Sequence, residues 1–271
     1  MNDKFISINQ LKFSKKNKIK KIYCLITGGA GRIGSIYTSL LLKKGYNVIV
    51  ASRKDTSFKK YKSTLDKKFQ KKIQWLKLDL SNLNTIDNLL KKISNKSILF
   101  LINNASFSFR GNFYNYNKKN IIKEATGISL GSIYLTEKIL PSMRKDNNGK
   151  IIFTGSLWGN MIPKFDTYLD MDIGPTAMIA SSKASIQQYS KYIAVREAAF
   201  NITVNSLIPG WFPRKGPIER IDYINKITSN IPMSRIGNLS DLIKPIEFLL
   251  SENNNYMTGQ EIIIDGGYSL Y

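Results

Sequence analysis

The stretch Ile22–Gly34 reads IYCLITGGAGRIG, an apolar run that leads into a glycine-rich turn. The apolar run predicts a buried strand, and the apolar periodicity from Ile33 to Leu41 predicts a helix. A strand, a glycine-rich turn and a helix start, in that order, form the phosphate-binding unit of dinucleotide-binding folds. The alternative is an ordinary tight turn with no ligand, which the flanking strand and helix make less favoured than a dinucleotide-binding turn.

Each glycine in this turn has a predicted task. Gly28 allows the tight turn, Gly31 lets a pyrophosphate approach the backbone, and Gly34 lets the helix pack closely on the strand. The helix start then offers unpaired N–H groups and a positive dipole end to the phosphates. The residues predicted to hold the cofactor here are Gly28, Gly31, Arg32, Ile33 and Gly34.

Composition narrows the possible classes of protein. The chain has 271 residues, of which 42% are hydrophobic, enough for one α/β domain. We interpret residues 1–20 as a basic N-terminal extension and residues 21–271 as a single dinucleotide-binding oxidoreductase domain. A single cysteine, Cys24, excludes an internal disulfide and favours a reducing compartment. The absence of histidine excludes a Ser-His-Asp triad, and we expect no metal site.

Charge and hydropathy suggest where the chain works. No apolar run is long enough to span a bilayer, and the polar N-terminal segment has no hydrophobic signal region, so we expect a cytoplasmic protein that binds no membrane. The net charge of +22 allows either nucleic-acid binding or a lysine-rich bias on solvated faces. Because the lysines are scattered along the whole chain, we expect no nucleic-acid partner. The basic field should still favour anionic ligands.

Strand-like and helix-like segments alternate along the chain. This alternation predicts a Rossmann-type, doubly wound α/β fold with a mostly parallel seven-stranded sheet and helices on both faces. Two long irregular stretches, 157–177 and 209–233, follow strand ends and are expected to bind ligand. Strands are predicted at 22–26, 47–51, 73–78, 98–102, 150–154, 202–207 and 261–264, and helices near 33–44, 56–68, 84–94, 118–144, 178–199 and 240–250.

The end of the second strand bears on the choice of cofactor. NAD-preferring sites usually place an acidic residue here for the ribose 2′-hydroxyl, whereas this chain has Arg53 and Lys54. A guanidinium group suits a 2′-phosphate, so NADP is favoured over NAD. The alternative is a solvated basic turn in a lysine-rich protein.

Further short motifs follow in a fixed order. With the glycine-rich turn, the ordered set resembles the short-chain dehydrogenase/reductase family over residues 22–269. The motifs are Leu78-Asp79-Leu80, Asn103-Asn104-Ala105-Ser106, Gly155-Ser156, Ser182-Lys183-Ala184, Val204–Gly210, Met257–Gln260 and Ile264–Gly267.

The resemblance implies a role for several of these positions. It implies that Asp79 and Leu80 contact the adenine, that Asn103 and Ala105 line the ribose side with Asn104 stabilising the strand, and that Pro209 and Gly210 bracket the nicotinamide. It also implies a homodimer or homotetramer built on the long helices near 118–144 and 178–199. The wide spacing from Ser156 to Lys183 resembles members associated with bacterial surface-sugar modification, which implies a sugar or sugar-nucleotide substrate.

The activity that the resemblance implies is hydride transfer between a nicotinamide cofactor and a small-molecule carbonyl/alcohol pair. The family's catalytic residues are an asparagine, a serine, a tyrosine and a lysine, and two of these four have no matching residue in this chain. Ser156 matches the family's serine, which the resemblance implies bonds the reacting carbonyl. Lys183 matches the family's lysine, which the resemblance implies supports catalysis and also binds the nicotinamide ribose of the cofactor. Ile179 occupies the tyrosine position, and the expected asparagine falls near Ile128.

Three explanations remain open for the missing tyrosine. Tyr168, from the long loop, enters the site as proton donor; or Ser181, Ser182 or a substrate hydroxyl with water relays the proton; or the chain is a catalytically silent nucleotide-binding relative that acts through protein partners.

Overall fold

The computed structural model describes residues 22–106, 117–168, 176–212 and 221–270. The predicted basic extension at residues 1–20 lies outside the described residues. Within the described part of the chain, no helix is both long and apolar enough to cross a membrane.

The centre of the fold is a seven-stranded sheet with the order β3-β2-β1-β4-β5-β6-β7. Every pair of neighbouring strands is parallel, which confirms the predicted doubly wound fold class. The strand order reverses between β1 and β4, and open α/β sheets bind ligands at such a switch point. The strands are β1 Ile22–Thr27, β2 Asn47–Ser52, β3 Ile73–Lys77, β4 Ser97–Asn103, β5 Gly149–Thr154, β6 Ile202–Pro209 and β7 Glu261–Ile264.

Helices cover both faces of this sheet. A π-helical turn, Thr126–Leu130, joins α5 to α6, and short 3-10 turns include Leu157–Gly159, Phe165–Tyr168 and Leu239–Leu242. The helices are α1 Arg32–Lys43, α2 Thr56–Ser63, α3 Lys67–Gln70, α4 Leu83–Ile93, α5 Lys118–Ala125, α6 Gly131–Asp146, α7 Ala177–Glu197, α8 Ile221–Thr228 and α9 Ile243–Leu249.

Alternate side chains of each strand enter two separate cores. Leu25 packs in the layer formed with α4, α6 and α7, where Leu140 and Ile193 are fully buried. Ile26, the next residue, packs on the opposite face, where Tyr37 from α1 and Ile246 from α9 are fully buried. This double burial explains why the strand sequences read as continuous apolar runs.

The helix boundaries differ from the sequence prediction in two segments. The predicted helix at 56–68 is divided into α2 and α3, because the hydroxyls of Ser63 and Thr64 donate back to the carbonyls of Lys60 and Tyr61. Such side-chain bonds compete with helix propagation. Helix α8 lies inside the stretch predicted as irregular, 209–233, whose prolines and glycines obscured its periodicity.

Candidate cofactor and active site

A cavity of about 680 Å³ lies at the carboxyl ends of β1, β2, β4 and β5, across the switch point of the sheet. Its volume is in the range of sites for cofactors and small molecules. The structure brings most predicted cofactor-binding residues to its wall, namely Gly28, Gly31, Arg32, Ile33, Gly34, Arg53, Asp79, Leu80, Ala105, Lys183 and Pro209.

The glycine-rich turn is tightly closed. Gly28 has a φ of +66°, a conformation that favours glycine, and its carbonyl accepts a hydrogen bond of 2.9 Å from the Gly31 N–H. A Cβ on Gly34 would lie 2.1 Å from the Gly28 carbonyl oxygen, so a side chain cannot fit there. Gly31 caps α1 without a side-chain hydrogen bond, which leaves the first N–H groups of α1 open to an anion. The turn therefore fits the phosphates of a dinucleotide.

Asn104 joins the end of β4 to this turn. Its side-chain amide donates to the carbonyls of Thr27 at 3.1 Å and Gly28 at 3.3 Å. The backbone N–H groups of Asn104 and Ala105 both donate to the Thr27 hydroxyl at 3.0 Å. Asn104 thus holds the strand end against the turn, in keeping with the stabilising role that the resemblance implies.

The expectation for Asn103 needs correction. Neighbouring strand residues point to opposite faces of a sheet, and Asn103 is buried away from the cavity, where its amide donates to the Thr136 hydroxyl at 2.9 Å. Gly210 also lies off the cavity wall. Its N–H donates to the Ile264 carbonyl at 2.9 Å, and a Cβ there would lie 2.6 Å from that of Asp265. Gly210 therefore permits the close approach of β6 and β7 rather than lining the site.

One guanidinium group and one carboxylate mark the far end of the cavity. Arg53 and Asp79 follow β2 and β3, and the Asp79 carboxylate accepts bonds from both the backbone and the hydroxyl of Ser81. Arg32, at the start of α1, donates to the Phe212 carbonyl at 2.9 Å. This end of the cavity is therefore suited to an adenosine ribose and its phosphates.

Ser156 and Lys183 meet at the other end. Ser156 follows β5, and its backbone N–H donates to Gln187 of α7 at 3.0 Å, which fixes the strand end against the helix. Lys183 is buried, and its Nζ donates to the Thr154 carbonyl at 2.7 Å. Burial lowers the pKa of Lys183 to about 8. A hydroxyl and a weakly basic amine thus line the cavity together.

Tyr168 lies elsewhere. It belongs to an aromatic cluster formed by Trp158, Tyr168, Trp211, Tyr223 and Tyr268. Its ring stacks on Trp211 with centroids 6.0 Å apart, and burial raises the pKa of its phenol well above the usual value. Tyr168 is not on the wall of the cavity that holds Ser156 and Lys183. This placement argues against its predicted role as proton donor.

The two serine hydroxyls just before Lys183 on α7 also lie away from the cavity. The Ser181 hydroxyl donates to the Ala177 carbonyl at 2.8 Å, and Ser182 is buried; neither lines the cavity wall. Ile179 occupies the first turn of α7, one turn before Lys183, and Ile128 is buried in the π-helical turn. A serine relay from α7 therefore has no support in this geometry.

The residues of the cavity wall that sequence reasoning missed include Ser81, Gly127, Thr154 and Phe212. Thr154 is the last residue of β5, so its position at a strand end next to the Gly155-Ser156 motif was the available signal. Gly127 reaches the cavity through the π-helical turn, for which the sequence carries no periodic signature.

Comparison with known proteins agrees with this geometry. The family model described as enoyl-(acyl carrier protein) reductase matches residues 29–269. The chain is 32% identical over 260 residues to a 3-oxoacyl-[acyl-carrier-protein] reductase of Buchnera aphidicola, covering 92% of this chain and 98% of that protein. It is 26% identical to the cyclohexanol dehydrogenase of a Rhodococcus species, covering 90% of this chain and 94% of that protein.

A solved structure shares the fold. The short-chain dehydrogenase from Leptospira borgpetersenii, crystallised with NAD+, superimposes with a TM-score of 0.79 at 27% identity, covering 95% of this chain and 98% of that one. The family-model match over residues 29–269 includes Gly31 and Gly34 of the phosphate-binding turn and the segment that carries Ser156 and Lys183. The chain belongs to the short-chain dehydrogenase/reductase family of NAD(P)-dependent oxidoreductases.

Proposed function

We propose that the chain is an NADP-preferring reductase that interconverts a small-molecule carbonyl compound and its alcohol. One observation carries the proposal: a single cavity joins the open N-terminus of α1 to the Ser156–Lys183 pair. The first is suited to the cofactor phosphates, and the second to a reacting carbonyl. Hydride transfer requires the cofactor and the substrate to lie side by side, so the phosphate-binding turn and the Ser156–Lys183 pair must open into the same cavity.

The preference for NADP rests on Arg53. It lines the cavity directly after β2, where an NAD-preferring site usually carries an acidic residue. The planar guanidinium group can donate two parallel hydrogen bonds to a phosphate, which the 2′-phosphate of NADP offers and NAD lacks. The net charge of +22 adds a general attraction for the more anionic cofactor.

The residues of the pair divide the work on the substrate. When bound, the nicotinamide cofactor supplies or accepts a hydride. The Ser156 hydroxyl can donate a hydrogen bond to the substrate oxygen, which orients the carbonyl and stabilises the charge that develops on it. The Lys183 ammonium keeps two N–H groups beyond its bond to Thr154, and these can hold ribose hydroxyls and face the same oxygen.

For the substrate we propose a sugar or sugar-nucleotide derivative. Trp158, two residues after Ser156, lines a second cavity, and aromatic faces can stack against the apolar faces of sugar rings. The basic charge of the chain would also attract a nucleotide diphosphate. The competing class is a 3-oxoacyl thioester, the substrate type in the name of the Buchnera relative.

Calorimetry followed by a substrate panel tests the proposal. We expect NADPH to bind with measurable heat and more tightly than NADH. The absorbance of the reduced cofactor should then fall with at least one keto-sugar or keto-sugar nucleotide, and more slowly with a 3-oxoacyl thioester. Absence of heat with both cofactors, oxidised or reduced, would overturn the proposal.

A second function is favoured by one specific observation. Ile179 cannot transfer a proton, which is expected of a nucleotide-binding relative that acts through protein partners without redox turnover. The same experiments distinguish the two. Cofactor binding with no change in absorbance across the whole panel would favour the silent protein. General acid–base help is worth about 10²–10⁴-fold, so loss of the tyrosine alone does not abolish reduction.

We also propose that the chain forms a homodimer or homotetramer in the cytoplasm. On α7, Tyr192 is 64% exposed and Val195 is 83% exposed, an apolar surface that a second copy could cover. The buried free thiol of Cys24 is suited to a reducing compartment. A mass measurement in solution that gives only monomer at micromolar concentration would contradict the assembly.

A further inference from the structure

We infer that Lys183 is itself the proton donor, its Nζ passing a proton directly to the carbonyl oxygen during reduction. This assignment rests on the proposed reductase function and deepens it. Ile179 and Lys183 lie four residues apart on α7, so they share one face of the helix. With isoleucine at the first position, the amine at the second is the acid that remains at this end of the cavity.

The other ionisable groups of the cavity wall are too far from the reacting end or do not release a proton. In the described residues these are Arg32, Arg53 and Asp79. Asp79 follows β3, which is four strands from β5, or about 19 Å at the usual strand spacing. Arg53 follows β2, about 14 Å away by the same measure, and arginine does not release its proton in proteins. Arg32 is bonded to the Phe212 carbonyl.

Ser156 lies close enough but is a poor acid. Its hydroxyl accepts a bond from the backbone N–H of Trp158 at 3.3 Å and keeps its own proton for the substrate oxygen. A serine hydroxyl does not ionise near neutral pH, so Ser156 can orient and polarise the carbonyl but cannot supply the proton efficiently. Orientation by Ser156 and proton donation by Lys183 are therefore separate tasks.

The surroundings of Lys183 favour a proton that leaves easily. Its Nζ contacts the Thr154 carbonyl and, within the described part of the chain, no carboxylate. Desolvation is the cause that lowers its pKa to about 8, close to a working cellular pH. Helix α7 and the described elements packed against it carry other charged or titratable side chains, and none of them bonds to this Nζ. They are Lys118, Lys119, Lys123 and Glu124 on α5, Tyr134, Glu137, Lys138, Arg144, Lys145 and Asp146 on α6, Lys150 on β5, and Tyr189, Lys191, Tyr192, Arg196 and Glu197 on α7.

The proposed step balances in protons and electrons with the cofactor, Lys183 and water as the only reagents besides the substrate. As the carbonyl carbon accepts the hydride, the electron pair of the C=O double bond moves to oxygen. That oxygen takes a proton from Lys183, so an N–H bond breaks as an O–H bond forms. The products are the alcohol, the oxidised cofactor and a neutral amine, and the amine regains its proton from water. In the oxidative direction the neutral amine accepts the proton of the alcohol.

The first test reads the lysine directly and needs no substrate. Lysine side chains labelled with ¹³C are titrated by NMR in the wild-type chain and in the Lys183→Met and Lys191→Met variants. Lys191 is the matched control, because it lies on the same helix and pairs with Glu261 at the surface. We expect one signal that titrates near pH 8, absent from Lys183→Met and retained in Lys191→Met. A Lys183 signal that titrates at the usual value for lysine overturns the assignment.

The second test separates proton donation from positioning. For reduction, wild-type kcat/KM should fall as the pH rises through about 8, because the ammonium form is lost. Lys183→Met should lower kcat by about 10²–10⁴-fold and abolish this pH dependence, while Lys191→Met leaves both unchanged. The NADPH dissociation constant, measured by calorimetry, should rise much less than kcat falls.

The outcomes distinguish this inference from the function on which it rests. A Lys183→Met variant that keeps the wild-type rate and pH profile, or that only weakens NADPH binding, refutes proton donation and leaves the reductase intact. A wild-type chain that binds NADPH but reduces nothing in the panel refutes both.

Discussion

The buried ammonium group of Lys183 should destabilise the fold at neutral pH, and this can be measured without a substrate. The perturbation is Lys183→Met, which keeps a long unbranched side chain and removes the charge. At about 1.4 kcal/mol for each tenfold change in an acid constant, lowering the Lys183 pKa from 10.5 to about 8 costs the protonated folded state roughly 3 kcal/mol. Loss of the bond to the Thr154 carbonyl offsets about 1 kcal/mol of the gain in the variant.

The sign of the pH dependence follows from the direction of the shift. Between about pH 8 and 10.5 Lys183 keeps its proton in the unfolded chain and loses it in the folded chain. The contribution of Lys183 to wild-type stability therefore becomes less unfavourable as the pH rises through this window. Below about pH 8 both states are protonated and the full cost is present. The Lys183→Met variant should therefore be more stable than wild type by about 2 kcal/mol near pH 7 and about equal to it near pH 10.

Urea unfolding followed by circular dichroism at both pH values gives the two differences. Comparing the variant with wild type cancels the titration of the many surface lysines and of the tyrosines. Lys191→Met serves as the control for replacing a lysine of α7 by methionine, because its side chain is 45% exposed. A variant that is less stable at pH 7, or whose advantage is the same at both pH values, would refute the account of Lys183 as a buried, weakly basic amine.

Four further substitutions test other parts of the molecule. Arg53→Ala should weaken NADPH binding about 10–100-fold by calorimetry and leave NADH nearly unchanged, because a charge-assisted bond to the 2′-phosphate is lost. Gly34→Ala should cost about 1–3 kcal/mol in urea unfolding and weaken both cofactors, since its Cβ would lie 2.1 Å from the Gly28 carbonyl oxygen. Tyr168→Phe should leave turnover unchanged in the substrate panel, because the ring packs in the aromatic cluster; a loss of turnover would return Tyr168 to the proton path. Glu197→Gln should cost about 2 kcal/mol at neutral pH, because two partly exposed arginines lower the pKa of this carboxyl, and in unfolding experiments the difference should shrink as the pH falls below the usual glutamate range and the folded carboxyl takes up a proton.

The strands and the phosphate-binding turn could be predicted because local sequence carries their physics. A strand covered on both faces must be apolar throughout, so runs such as Ile22–Ile26 are visible without any knowledge of their partners. The turn needs glycine at Gly28 and Gly34 for reasons that act within a few residues. By contrast, the division of the predicted helix at 56–68 depends on hydroxyl groups that bond back to the helix carbonyls.

Placement within the site depended on contacts that the sequence does not display. The family resemblance implied that Asn103 lines the cavity, but the alternation of the strand turns Asn104 to the ligand side instead. Tyr168 was a reasonable candidate by sequence distance, since its loop follows Ser156. In the structure its ring instead stacks on Trp211, which follows β6, and the sequence does not display this long-range contact.

The amide of Asn104 has a consequence for the order in which the molecule is built. The cradle for the cofactor phosphates is held by a side chain 76 residues further along the chain from Gly28. Strand β4 must therefore dock beside β1 before the turn is locked, and pairing between such distant segments is slow. Nascent or fragmentary chains that contain only the first crossover unit would lack this brace, so competence to recognise the coenzyme should arise late, with closure of the central sheet.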